Sequence, residues 1–101
     1  MIQLSKQGDI LTAVLDRQLD AGGVRALQDA LRGQLGGVRH LVLDANQADV
    51  IDRTGIEYLQ LLDEKMLNRE DGTFRLVNLG EGLRDLLEAE DWMEFLPEWD
   101  Q

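Results

Sequence analysis

The period of the hydrophobic positions changes several times along this chain, and each change predicts a new element. Ile2 and Leu4 alternate with Gln3 and Ser5, which predicts a first strand over Ile2 to Gln7, turned by Gly8-Asp9 into a second strand from Ile10 to Asp16. The apolar density of that second strand implies burial on both faces. From Val24 the spacing lengthens to three and four, through Leu27, Leu31 and Leu35, so a first helix of about four turns is expected. Asp20 is positioned to cap its start and Gly36-Gly37 to stop it. Leu41, Val42 and Leu43, closed by Asp44, read as a buried central strand over Arg39 to Asp44. Ile56, Leu59, Leu62 and Met66 then return to helical spacing and predict a second helix from Thr54 to about Arg69, closed by Asp71-Gly72.

Thr73 to Leu79 is rich in β-formers and predicts a third core strand, with Phe74 and Leu76 on one face and Val77 and Leu79 on the other. Gly80-Glu81-Gly82 leads into a short helix carrying Leu83, Leu86 and Leu87. Right-handed crossovers through these helices give an α/β fold: a mixed sheet of four to five strands with helices packed mainly on one face. The length fits one domain over residues 1–101. Near the end, Trp92, Phe95, Leu96 and Trp99 follow helical spacing while Pro97 opposes a helix interior. That segment reads as a lid on the core or as an aromatic anchor for a partner.

Charge narrows the function. Twenty acids against ten bases give a formal net charge of −10, which repels phosphate backbones and anionic lipid, so no nucleic-acid partner is expected. No apolar run approaches the roughly 18 residues that cross a bilayer, and the N-terminus lacks a signal-type segment. A soluble, unexported chain follows, with no membrane insertion. The absence of Cys removes disulfides, thiolate zinc sites and Cys nucleophiles.

An enzyme is not expected either. One His and one Ser, the latter in the first strand, supply no Ser-His-Asp arrangement, and His40 at the head of the central strand reads as structural. Asp49 and Asp52 are too few ligands for a metal, and no calcium-loop pattern occurs. Gly80-Glu81-Gly82-Leu83-Arg84-Asp85 holds two glycines of a dinucleotide fingerprint but ends on Asp85, with Glu81 inside the loop. A phospho-Asp receiver built on Asp44 lacks the acidic pair of a first strand and a suitably placed Lys. No cofactor is called for.

The sharpest signal lies between central strand and second helix, in Ile51-Asp52-Arg53-Thr54-Gly55-Ile56. Thr54 followed by Glu57 forms a capping-box pattern, so Thr54 is expected as the N-cap, its hydroxyl at the positive end of the helix where a phosphate is favoured. After a hydrophobic strand, this stretch resembles the Asp-Ser-Ser-Gly-Leu signature of STAS domains, in particular the anti-sigma-factor antagonists. Asp9 to Asp20 similarly resembles the family's second strand, which ends in Gly-Glu-Leu-Asp.

The resemblance implies a switch protein. Thr54 matches the hydroxyl that a partner kinase phosphorylates, and Asp20, Asp52, Arg53, Thr54 and Gly55 become the expected partner-binding residues. The implied partners are an anti-sigma factor that is a serine-threonine kinase with bound ATP, and a phosphatase that resets the switch, in the cytoplasm. The alternative is a STAS subunit of an ABC lipid-transport system that docks on its ATPase. Two positions depart from the pattern: Arg17 stands where the family has Gly, and Arg53 puts a cation beside the acceptor, with Asp52, Asp49 or a partner carboxylate as candidates to hold it.

Overall fold

An antiparallel hairpin opens the fold, β1 (Gln3–Gln7) turning into β2 (Ile10–Val14) through Gly8 at φ +61°. The computed structural model describes residues 2–89 and the backbone of 99–100. Next come β3 (Gln18–Leu19), α1 (Ala21–Leu31), β4 (His40–Asp44), β5 (Val50–Ile51) and α2 (Arg53–Leu67). They are followed by β6 (Thr73–Val77), α3 (Glu81–Ala89) and β7 (Trp99–Asp100). The main sheet runs β1-β2-β4-β6-β7, parallel except for β1, and β3 pairs in parallel with β5 in a small second sheet.

The strand register decides what the core is. Leu11 stands opposite Leu41 and Leu41 opposite Phe74; two residues on, Ala13, Leu43 and Leu76 repeat the row. All six are at most 3% exposed. The helices cover this face with Val24, Leu27 and Leu31 from α1, Ile56, Leu59, Leu62 and Met66 from α2, and Leu83 and Leu87 from α3. The expected mixed α/β sheet with helices on one face is therefore present, and its burial is the main term holding the fold together.

Several boundaries differ from the expectation. Burial on both faces does not occur: Ile10 is 41% exposed and Val42 only half-buried, because among the described residues every helix packs on the opposite face. The first helix stops a turn early, at Leu31, since Gly33 takes φ +75° and breaks the ladder before Gly36-Gly37 is reached. Leu35 still packs on the core from the loop. That loop is tied down by Arg69, whose guanidinium donates to the carbonyls of Leu35 and Val38.

At the other end of α2 the helix closes at Leu67, and Asp71 at φ +56° makes the turn into β6. Leu79 does not face away from Phe74 and Leu76. Asn78 takes φ +60° just after β6, and this left-handed residue swings Leu79 back into the common core. His40, expected as structural, pairs through Nδ1 with the Thr73 hydroxyl at 2.8 Å, joining the starts of β4 and β6. The Trp92 to Leu96 stretch, expected as a lid or an aromatic anchor, lies outside the described residues. The backbone of Trp99 and Asp100 pairs with Leu76 and Val77 along the β6 edge.

Candidate functional site

Two short segments with the same spacing build one end of the molecule. Gln18-Leu19-Asp20-Ala21-Gly22-Gly23 and Val50-Ile51-Asp52-Arg53-Thr54-Gly55 each place an apolar residue, an aspartate and, three residues later, a glycine. In each, the apolar residue ends a two-residue strand and is buried, Leu19 at 2% and Ile51 at 4% exposure. In each, the aspartate is extended and caps a helix: Asp20 Oδ1 accepts from Gly23 N–H, and Asp52 Oδ1 from Gly55 N–H, both at 3.0 Å. The β3–β5 ladder, with Leu19 opposite Ile51, sets the two helix starts side by side.

The glycines are required by this closeness. A Cβ on Gly55 would fall on the Leu19 carbonyl oxygen and within 2.9 Å of Ile51 Cγ1. A Cβ on Gly23 would fall on the Gln18 carbonyl oxygen in the same way. Each helix thus enters against the backbone of β3.

Thr54 is not the N-cap. Asp52 takes that position, α2 begins at Arg53, and Thr54 becomes the second helical residue, with Glu57 too far along to reach back. The physical reason is that pairing and burial of Ile51 hold the chain extended as far as Asp52, while Gly55 must already be helical to pass Leu19. A carboxylate at this point also gains more from the positive helix end than a hydroxyl does. The Thr54 hydroxyl is left exposed, free of any capping task.

The expected site residues therefore converge at one end. Asp20 and Asp52 are half-buried and occupied as caps, Gly55 is buried, and Arg53 and Thr54 are exposed. Arg53 is held by neither candidate carboxylate: Asp52 caps the helix, and Asp49 pairs with Arg17, whose Nη2 lies 2.8 Å and Nε 3.0 Å from Asp49 Oδ2. Among the described residues Arg53 forms no ion pair. Burial raises the Tyr58 hydroxyl and the Asp63 carboxyl above their ordinary pKa ranges, but both lie further along α2.

Sequence reasoning missed the β3–β5 ladder, the Arg17–Asp49 pair that closes over it, and Val50, an apolar residue 44% exposed beside the helix starts. The repeated apolar-Asp-x-x-Gly spacing was the available signal for the first of these. An open groove beside α1, lined by Asp16, Arg17, Asp20, Asp49 and Val50, continues this surface. Among the described residues no group of three or more His, Cys, Asp or Glu is arranged to hold a metal ion, and no helix is long and apolar enough to cross a membrane.

Comparison with known proteins gives the same picture at the level of fold. An anti-sigma factor antagonist from Mycobacterium paratuberculosis superposes with a TM-score of 0.78 at 16% identity, covering 100% of this chain and 86% of that one. The anti-sigma factor antagonist SpoIIAA in its unphosphorylated form gives 0.69 at 18% identity, over 100% and 88% of the two chains. The phosphorylated form of SpoIIAA, a Bacillus cell fate determinant, gives 0.65 at 15% identity, over 100% and 92%. No protein of curated function matches the chain by sequence. The family model for the STAS domain matches residues 1–97, so the chain belongs to the STAS domain family.

Proposed function

We propose that this chain is an anti-sigma-factor antagonist, a cytoplasmic switch that binds an anti-sigma factor acting as a serine-threonine kinase and releases it when Thr54 is phosphorylated. The partner docks around Asp20, Asp52, Arg53, Thr54 and Gly55. The observation that carries the reading is the exposed Thr54 hydroxyl on a helix start whose cap is a different residue. Modification there costs the fold no hydrogen bond, so its whole effect is delivered at the surface. The fold shared with antagonists described in unphosphorylated and phosphorylated forms supports the same reading.

The physics of release is electrostatic. A phosphate adds about −1.5 to −2 charge at neutral pH, and the positive end of α2 accommodates it without unfolding. Around it lie the carboxylates of Asp20 and Asp52, already committed to capping. A partner that fits the neutral hydroxyl must desolvate this added charge, which exceeds what the one neighbouring cation, Arg53, offsets, and docking weakens. ATP belongs to the kinase and the chain acts as protein substrate; a phosphatase restores the binding form.

Incubation of the purified chain with an anti-sigma kinase and ATP tests this. The expected result is one added phosphate, located at Thr54 by fragmentation, and a dissociation constant for the kinase at least about tenfold weaker afterwards, equal to about 1.4 kcal/mol. Phosphate at another residue, or equal affinity before and after, would remove Thr54 as the switch.

A further inference from the structure

Away from the Thr54 end, the last turn of α1, the loop after it and the middle of α2 enclose an open groove. Its floor is apolar and buried, made by Leu31 and Leu62, and its walls are Leu35, Tyr58 and Leu61. Leu61 is 56% exposed and Tyr58 half-buried, so the apolar surface continues from the core to the outside. Large leucines on a surface that is rimmed by polar groups mark a contact site more than a solvated face.

The charge around it departs from the rest of the chain. Arg32 and Lys65 line the groove, the Lys6 ammonium donates to the Gly36 carbonyl at 3.4 Å, and the Arg69 guanidinium donates to Leu35 and Val38. Four of the ten Lys and Arg residues thus surround one loop in a chain with twice as many acids. Asp29 meets Arg32 at 3.2 Å, but both are more than half exposed, and a pair of that kind is weak and leaves most guanidinium donors open. Glu57 and Glu64 of α2 do not line the groove.

We propose that this groove docks an acidic amphipathic helix of a partner protein. Its apolar stripe lies on Tyr58 and Leu61, and its carboxylates face Arg32, Lys65 and Lys6. Helical and loop residues form the whole lining, and the edge strand β1, which carries Lys6, contributes none of it, which favours the helix-in-groove mode over strand addition. The surface is distinct from the switch: Leu61 lies seven residues from Thr54, about 10 Å along α2. Nothing in it depends on Thr54 being modified.

The test uses the full chain labelled for amide NMR and two synthetic helical peptides of about 18 residues, each with leucines at i, i+3, i+4 and i+7. One peptide carries glutamate on its flanks and the other lysine. The expected result is perturbation of amides in Leu31 to Gly36 and Tyr58 to Lys65 by the glutamate peptide, with at least about tenfold weaker binding of the lysine peptide. Leu61→Glu should weaken the glutamate peptide by a similar factor, and so should the double variant Arg32→Glu, Lys65→Glu; these exposed positions leave the core intact. Absent binding, equal affinity for the two peptides, or perturbations mapping elsewhere would overturn the proposal. Thr54→Glu should leave the affinity within about twofold; a larger change would merge the two surfaces and overturn it too. Because the probe is a peptide and not a kinase, failure of phosphorylation at Thr54 leaves this outcome readable by itself.

Discussion

The starts of α1 and α2 are built alike and equipped differently. Both run from a buried apolar residue to a capping aspartate and a glycine pressed against backbone, and they lie in parallel register through Leu19 and Ile51. Between aspartate and glycine, however, α1 carries Ala21-Gly22 and α2 carries Arg53-Thr54. The shared parts make the scaffold, and the two inserted residues on α2 bring a cation and a hydroxyl to the surface. Fold and chemistry are therefore assigned to different residues within six positions of sequence.

The glycines offer the largest way to break the likeness. In a helix, Gly→Ala ordinarily gains about 0.5 to 1 kcal/mol. Gly55→Ala and Gly23→Ala should instead each lose about 1 to 3 kcal/mol, since the added Cβ meets a carbonyl oxygen and forces the helix away from β3. Gly22→Ala is the internal control: its Cβ would meet only Asp20 Oδ1 at 3.5 Å, an ordinary contact, and the usual gain should appear. Denaturant midpoints at unchanged slope measure all three. A stabilised Gly55→Ala would mean that α2 does not enter against Leu19.

The caps come next. Asp20→Ala and Asp52→Ala should each cost about 0.5 to 2 kcal/mol, because each leaves an amide at a helix start without its acceptor. Thr54→Ala, by contrast, should stay within about 0.5 kcal/mol of the parent, as an exposed residue with no capping bond. The same variant should take up no phosphate from the kinase. If Thr54→Ala were as destabilising as Asp52→Ala, the hydroxyl would share the cap and the separation of scaffold from the proposed switch would fail.

These residues also show where the sequence was legible. Asp20 as a cap, the hairpin through Gly8-Asp9 and the leucines of both long helices followed from period and turn chemistry, because each is decided by neighbours a few residues away. The misplacement of the α2 cap has a different origin. Asp52 and Thr54 are both good N-cap residues, and local pattern cannot choose between them; the choice is made by Leu19, more than thirty residues earlier, through its pairing with Ile51 and its carbonyl against Gly55. The facing of Leu79 was missed for a related reason, since a period-two reading carries no sign of the left-handed turn at Asn78. The expected site residues do lie together at one end, but Arg17 holding Asp49 appears only once β3 and β5 lie together.

That ion pair is the smallest difference and the last one to test. Arg17 and Asp49 join the loops that precede the two helix starts, yet their side chains are 81% and 58% exposed, so solvent and salt screen them. The backbone already joins the same loops: the amides of Asp49 and Val50 both donate to the Arg17 carbonyl, at 2.8 and 3.2 Å. A double-mutant cycle with Arg17→Ala and Asp49→Ala should accordingly give a coupling of about 0 to 1 kcal/mol, shrinking as salt is added. Each single variant should leave the Gly55 and Asp52 effects unchanged, because the ladder rather than the pair sets the helix starts. A coupling well above that range and insensitive to salt would make the pair a structural clamp between the two helix starts, and the register of β3 with β5 would then depend on Arg17.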